Sequence, residues 1–569
     1  MSASTSPPPN IVVILVDDAG YDDFGFQNSN TISTTPQLDV LANEGTIFTQ
    51  AYVTNGLCAP SRAGMLSGRY NSDVGFQYNI ASGISANSAA PGHTLTDIGL
   101  DPTVPTMGNY LQDLGYETAL FGKWHLGYGG QTQHLPNNRG FDFFYGLLGG
   151  SRPYDAQTTD DHKKIRRNNV LEEPTNNNFF LTDLLTDEAL TYMTQQINQN
   201  APFLAFMSYT APHGPYTAKP ADYTYFDSLN TAQNLGLSEN NKNYYGLLKN
   251  VDDNVKRIVD LLKLNNEYDN TLFVFLSDNG GVVSKAGSNG ALSGEKGSTL
   301  EGGLRVPFFM TWKNAVPSAG VYNEQVISLD LTTTFIEAAG GNLSANTYFD
   351  LEGKDLVSAV NNSTSVIHPT LYWRKGIGGG AVSDGTNKVR FTQLDSFQTS
   401  APQLYNLDAD LGETTNIYAS NTSTAQPLID DWYTWRGTLD LPSYIPGGVV
   451  ESVCGLGVPI NSCNFLTNYY SNFASYTHLT QVSNTPLSVS QTTETLLRAN
   501  LEYKDSIKSE GEITYVLTQL PVYGSIQKSG QTLTIGDEFK QIDINTGDIS
   551  YVYNGTMASA DLVKFNVND

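Results

Sequence analysis

From Ile11 to about residue 340, short wholly apolar runs alternate with stretches whose apolar residues recur every three or four positions. Ile11–Val16 has no polar position, the pattern of a strand buried on both faces. Thr35-Pro36 opens a helix that shows Leu38, Leu41 and Ala42 on one side and stops at Gly45. Pro105 opens another, with Met107, Tyr110, Leu111 and Leu114 in step and Gly115 as its end. Further strands are predicted at Thr118–Phe121, Phe203–Tyr209, Leu272–Leu276 and Val306–Met310. Between them, Tyr244 to Leu262 keeps apolar residues at 244, 248, 251, 255, 258 and 262, a long amphipathic helix. This alternation predicts an α/β fold: a large mixed, mostly parallel sheet sandwiched by helices.

The pattern then changes twice. Short strand-like runs at Thr370–Trp373 and Lys388–Thr392 precede a helix near Gln426–Leu439, a small α+β subdomain. Near the end, Ile513, Tyr515 and Leu517 alternate, as do Ile549, Tyr551 and Tyr553, and then Val563, Phe565 and Val567. Period-2 strands separated by Gly and Asp turns predict an appended all-β module. The expected division is a catalytic α/β domain at 10–365, the subdomain at 366–445, a Gly-, Pro-, Asn- and Ser-rich linker at 446–475 and the all-β module at 476–569. Cys454 and Cys463 lie close together in that linker, where an oxidising compartment would allow them to pair.

Composition narrows the function. Hydrophobic residues make up 39 % and charged residues 15 % of the 569, which excludes wholesale disorder. Asp and Glu number 57 against 31 Lys and Arg, a net charge of −26. Such a surface repels polyanions, so nucleic acid is not an expected partner, and an anionic substrate needs a locally positive pocket. No apolar run approaches the ~20 residues of a membrane helix. The first nine residues hold no signal-peptide core.

Polar clusters directly follow four predicted strands: Asp17-Asp18, Lys123 with His125, His213, and Asp278-Asn279. Parallel strands put their carboxyl ends on one edge, where open α/β sheets bind ligands. Asp17, Asp18, Asp278 and Asn279 offer only oxygen, which suits Ca²⁺ or Mg²⁺ rather than Zn²⁺. Taken singly, each reads first as a strand-end turn residue or helix cap; two adjacent acids at one strand end facing an Asp-Asn pair at another favour the metal. Cys58 lies just before a helix opened by Pro60, where free N–H groups favour anions. Alone it reads as a buried structural cysteine or a reactive thiolate.

The thirteen residues from Cys58-Ala-Pro60-Ser61-Arg62 to Ser67-Gly68-Arg69-Tyr70 are more specific. They match the signature of type I sulfatases, of the alkaline-phosphatase-like superfamily, at every constrained position. Gly122-Lys123-Trp124-His125, Ala211-Pro212-His213, Ser277-Asp278-Asn279-Gly280, Gly294-Glu295-Lys296-Gly297 and Glu301-Gly302-Gly303 extend the resemblance, which covers roughly 10–440. The C-terminal stretch, with Pro521-Val-Tyr-Gly524 and Gly536-Asp537, resembles cadherin-like repeats of chondroitin-sulfate-proteoglycan type.

The family resemblance implies that Cys58 is oxidised to formylglycine by a formylglycine-generating or anaerobic sulfatase-maturating enzyme. One hydroxyl of the hydrated aldehyde attacks sulfur, and deprotonation of the other ejects sulfate by C–O cleavage. It implies a divalent cation, Ca²⁺ before Mg²⁺, held by Asp17, Asp18, Cys58, Asp278 and Asn279. Arg62, Lys123 and Lys296 would offset charge on the sulfuryl oxygens. His213 is the candidate acid for the leaving alcohol and His125 the candidate to assist the diol, roles that are exchangeable at this stage. A basic stretch at 151–167, with Arg152, His162 and Arg166, is the expected subsite for a second anionic group, against the reading of a solvated loop balanced by Asp155, Asp160 and Asp161. The expected function is a sulfatase acting on a sulfated oligo- or polysaccharide, secreted or periplasmic with a leader not carried by this sequence. The alternatives are a phosphodiesterase or phosphonate monoester hydrolase of the same superfamily, and a non-catalytic carbohydrate-binding protein.

Overall fold

The computed structural model describes residues 7–439 apart from 28–31, 33, 81–97, 129–131, 344–349, 363–365, 377–378, 393–401 and 437. Between 479 and 568 it describes all but 485–492, 496–500, 506–513, 520–523 and 554–563. The expected linker at 446–475 and its two cysteines lie outside the described residues. The chain divides into two compact units, Met1–Leu466 and Thr467–Asp569.

In chain order the first unit carries β1 (Asn10–Asp17), α1 (Pro36–Asn43), β2 (Thr46–Phe48), β3 (Ala51–Tyr52), α2 (Cys58–Ser67), α3 (Met107–Asp113), β4 (Glu117–Lys123), β5 (Phe143–Leu147), β6 (Arg166–Arg167), β7 (Val170–Leu171), α4 (Leu181–Gln199), β8 (Phe203–Pro212), α5 (Pro220–Gln233), α6 (Glu239–Leu264), β9 (Thr271–Ser277), α7 (Glu301–Leu304), β10 (Phe308–Thr311), β11 (Gly320–Tyr322), β12 (Val326–Ile327), α8 (Asp330–Ala338), α9 (Leu356–Asn361), β13 (Leu371–Arg374), β14 (Gly380–Ser383), β15 (Asn387–Phe391), β16 (Gln403–Asn406) and α10 (Thr422–Arg436). Ten strands form one sheet in the order β11-β2-β10-β9-β1-β8-β4-β5-β6-β7. The five from β9 to β5 are parallel, and β10 and β6 turn antiparallel at the flanks. Every residue of β1 is buried, as its unbroken apolar run requires. Val12, Ile14 and Val16 share a core with residues of α1, α4 and α6, while Ile11, Val13 and Leu15 are as deeply buried on the opposite side.

Register decides where the strand ends fall. Val16 pairs with Ser277 of β9, and Asp17 with Pro212 of β8. The residues that follow, Asp18, His213 and Asp278, therefore emerge together on one edge.

Several elements differ from the sequence reading. The helix expected from Pro105 begins at Met107, because Thr106 is its N-cap and forms a capping box with Asn109. The helix expected from Gln426 begins at Thr422; Pro427 is tolerated because it lies close to the start, where it removes only one ladder bond. Helix α4 had no counterpart in the sequence reading. It buries Leu181, Leu185, Ala189 and Met193 at intervals of four, but Thr, Asp and Gln dilute that stripe.

Strands β13 to β16 form an antiparallel sheet covered by α10, with Trp432 wholly buried beneath it. Among its described residues the second unit is built from antiparallel strands in three small sheets. Tyr515 and Leu517 point into its interior, and the Tyr515 ring stacks on Phe539 at 5.0 Å. No helix among the described residues is long and apolar enough to cross a membrane.

Candidate active site

Helix α2 places Cys58. Leu57, in extended conformation, is its N-cap, and Pro60 sits in its first turn. Asn79 accepts from the Ala59 N–H at 2.9 Å, satisfying one of the free donors at that end. Gly64 lets the helix lie directly on Thr54, since a Cβ there would come within 2.3 Å of the threonine hydroxyl. Gly68 closes the helix in the left-handed conformation. The thirteen-residue motif is thus a helix with both ends and one contact face specified.

Around Cys58 lie the acids. Its Sγ is 3.4 Å from Asp17 Oδ1 and 3.8 Å from Asp18 Oδ1. Asp17, Asp18, Cys58 and Asp278 are all buried and present ligand atoms within 4.8 Å of one another. Asn279 donates through Nδ2 to Asp18 Oδ1 at 2.9 Å, yet its buried Oδ1 has no hydrogen-bond partner among the described residues. An orphaned acceptor among three buried carboxylates fits a hard divalent cation with oxygen ligands. Asp18 is held in the left-handed region at φ 65°, which turns its carboxylate back toward β9.

Three cations close the cluster. Lys123 Nζ meets Asp17 Oδ2 at 2.7 Å. Arg62 donates through Nε to Asp278 Oδ2 at 2.9 Å, and its NH2 lies 2.7 Å from the same oxygen. Lys296 Nζ meets Asp18 Oδ1 at 2.7 Å. Burial works against ionisation of Asp17, but Lys123, His213 and Arg62 together outweigh it and hold that carboxyl below its ordinary value. Asp278 goes the other way, raised by burial and by the neighbouring Asp17 despite Arg62. Burial also pushes the Cys58 thiol well above its usual range, even beside Lys123 and Lys296. A plain thiol here is a poor nucleophile.

The two histidines present different faces. His125 has φ 62° and donates from Nε2 to the Ile80 carbonyl at 3.0 Å, which leaves Nδ1 buried with no hydrogen-bond partner among the described residues. Burial first, then Lys123 and Arg62, lowers its pKa well below the histidine value, so the ring is neutral. Gly150 lies against this ring where a Cβ would come within 2.9 Å. His213 donates from Nδ1 to the Gly214 carbonyl at 2.6 Å and turns Nε2 toward Asp18 Oδ2 at 3.4 Å.

The basic stretch requires a correction. Arg152 is buried, with both terminal nitrogens on the Glu173 carboxylate at 2.9 Å. Its charge is fully committed inside the loop, so it does not face a ligand. The His162 ring lies 4.4 Å from that of Tyr128, whose hydroxyl donates to the same Ile80 carbonyl as His125. Arg166, on β6, is half-buried and makes no carboxylate pair among the described residues.

Several residues that shape the site make contacts the sequence did not signal, Tyr154 of the basic stretch among them. Ser208 accepts from Arg62 NH1 and donates to the Lys123 carbonyl, both at 2.6 Å, tying two of the cations together. Tyr154 donates to the His213 carbonyl at 2.7 Å. Asp23, behind Asp18, accepts from Tyr244, Gly20 and Ser288, and burial raises it to about 7. These contacts join residues distant in sequence, and local patterning does not encode them.

Comparison with known proteins gives an independent line. A sulfatase family profile matches residues 9–341 and a cadherin-like profile residues 480–569. The N-acetylgalactosamine-6-sulfatase of Sus scrofa is 31 % identical over 380 residues, covering 64 % of this chain and 69 % of that one. An uncharacterized sulfatase of Escherichia coli K12, YdeN, is 31 % identical over 419 residues, 65 % of this chain and 69 % of its own. The crystal structure of Ps i-CgsB in complex with k-i-k-neocarrahexaose is similar at a TM-score of 0.69 and 31 % identity, covering 79 % of this chain and 98 % of that one.

Proposed function

The chain belongs to the sulfatase family, hydrolases of sulfate esters, and from that premise we propose that it desulfates an oligo- or polysaccharide through a formylglycine at position 58 and a Ca²⁺ ion. The observation that carries this reading is the meeting of the α2 N-terminus, the acid cluster with its orphaned Asn279 oxygen, and three cations at one sheet edge. The sugar-bound similar structure supports a carbohydrate substrate. The cadherin-like module supports an enzyme that works outside the cytoplasm, secreted or periplasmic. The domain division read from the sequence is retained with it: catalysis at 10–365, subdomain at 366–445, linker at 446–475, accessory module at 476–569.

Asp17, Asp18, Asp278 and Asn279, with residue 58, would hold the Ca²⁺, whose charge would favour deprotonation of a hydroxyl on residue 58 and offset the negative charge of a sulfate group. Converted by a maturating enzyme, residue 58 would supply a hydrated aldehyde that forms an O–S bond and later releases sulfate by C–O cleavage. Arg62, Lys123 and Lys296 balance the charge that grows on the sulfuryl oxygens. Protonated His213 gives its Nε2 proton to the alcohol oxygen as the ester S–O bond breaks. The free Nδ1 of His125 accepts the proton when residue 58 returns to its aldehyde.

Parallel assays test the reaction class. A sulfate ester should be cleaved at least ~10²-fold faster than the matching phosphate ester. A reversed preference would move the site to a phosphodiesterase or phosphonate hydrolase. The metal assignment has a separate readout. Ca²⁺ at ~100 times its Kd should stabilise chelator-treated protein by ~2.7 kcal/mol in thermal unfolding. Asp278→Asn should remove that shift; its persistence would place the ion elsewhere.

A further inference from the structure

We propose that Lys375 and Arg390, on the small antiparallel sheet, form a second anion subsite that takes a further sulfate group of the saccharide. The inference rests on the sulfatase reading of the neighbouring site.

Most cations near the site are already matched by carboxylates. Arg152 is held by Glu173, Arg167 by Glu172 and Glu188, Lys163 by Asp160 and Lys164 by Asp161. Lys375 and Arg390 differ. Among the described residues neither meets a carboxylate. Lys375 Nζ donates to the Gly297 carbonyl. Arg390 donates through Nε to Thr299 Oγ1 and through NH1 to Gln403 Oε1, both at 2.9 Å. Both side chains are half-buried. A guanidinium with five donors and two neutral acceptors keeps capacity for an oxyanion.

Their position links them to the reaction. Gly297 and Thr299 belong to the loop that carries Lys296. A Cβ on Gly297 would stand 3.8 Å from Lys375 Nζ and 3.4 Å from Leu57, the residue before Cys58. The two cations therefore rise beside the mouth of the site from a different sheet. Strand alternation makes the contrast plain. Lys388 and Arg390 share one face of β15, and Lys388 is clasped by Glu301 and Glu413, while Arg390, two residues on, has only neutral partners among the described residues. Burial and the charge of Arg390 hold the Lys375 ammonium below the usual lysine range, a repulsion that a bound anion would relieve.

Selenate, a heavy sulfate analogue, tests this without knowledge of the sugar. Crystals of the mature enzyme soaked in selenate should show anomalous density at two places, beside residue 58 and between Lys375 and Arg390. The second peak should vanish in Lys375→Gln/Arg390→Gln. A first peak without the second overturns the subsite and leaves the sulfatase reading standing; absence of both counts against each. A second peak that survives in the double variant is an adventitious ion only, and also overturns the subsite. On the oligosaccharide desulfated fastest in a panel, Lys375→Gln should raise KM ~10-fold with kcat nearly unchanged, and Lys375→Arg should restore KM. A fall in kcat at constant KM would make Lys375 a support for the Lys296 loop instead.

Discussion

Cys58→Ala should lower turnover of a small aryl sulfate by at least ~10⁴-fold while leaving the protein folded. Residue 58 is the group placed to form a bond to sulfur, and its surroundings are built to charge and discharge it. Alanine leaves Asp17, Asp18, Asp278 and the three cations in their mutual pairs, so the cluster stays neutralised. The side chain lost is small, and melting temperature should change little. A second comparison separates the modified residue from the plain one. Burial pushes the Cys58 thiol up, so protein made without a maturating enzyme should be as inactive as the alanine variant. Peptide mass spectrometry across residues 52–69 should then show the unmodified mass, whereas active protein shows the lower mass of the aldehyde. Turnover within tenfold of wild type in Cys58→Ala would refute the nucleophile.

The sheet and the site edge were legible in the sequence for a physical reason. A strand buried on both faces must be apolar throughout, and Ile11–Val16 declares that plainly. Asp17 and Asp18 interrupt the run where the strand leaves the core. Where burial is one-sided and the exposed face is rich in Thr and Gln, as in α4, the period is diluted and the helix is missed. A mixed sheet was expected, but which strands turn antiparallel was hidden, since pairing direction at β10 depends on how the chain returns and not on its own residues. The same limit explains Arg152. A run of Arg and Lys resembles an anion-binding patch, but Glu173 lies 21 residues on and decides that this guanidinium faces inward. Lys375 and Arg390 carry no local signal; only the meeting of two sheets sets them beside the Lys296 loop.

Lys388→Met should cost about 3–5 kcal/mol of stability, read as a lower midpoint for the first urea transition followed by tryptophan fluorescence. Lys388 is wholly buried on β15, with Nζ 2.8 Å from Glu301 and 3.1 Å from Glu413, and Trp373 close by as a reporter. Tyr52 donates to Glu301 Oε2 at 2.9 Å, and the Glu301 N–H donates to Glu413 at 2.6 Å. The network ties α7, at the end of the Lys296 loop, to the small sheet. Methionine fills the space but leaves two buried carboxylates with too little positive charge. Their folded pKa values should then exceed the unfolded value near 4.3. The cost is therefore full well above those folded values and shrinks as the pH falls toward and below 4.3, where both states hold the proton. Adding Glu301→Gln and Glu413→Gln to Lys388→Met should recover much of the loss, because the penalty lies in uncompensated charge and not in lost volume. A loss under ~1 kcal/mol, or no recovery in the triple variant, would show that the network is not what fastens the small sheet to the catalytic loop.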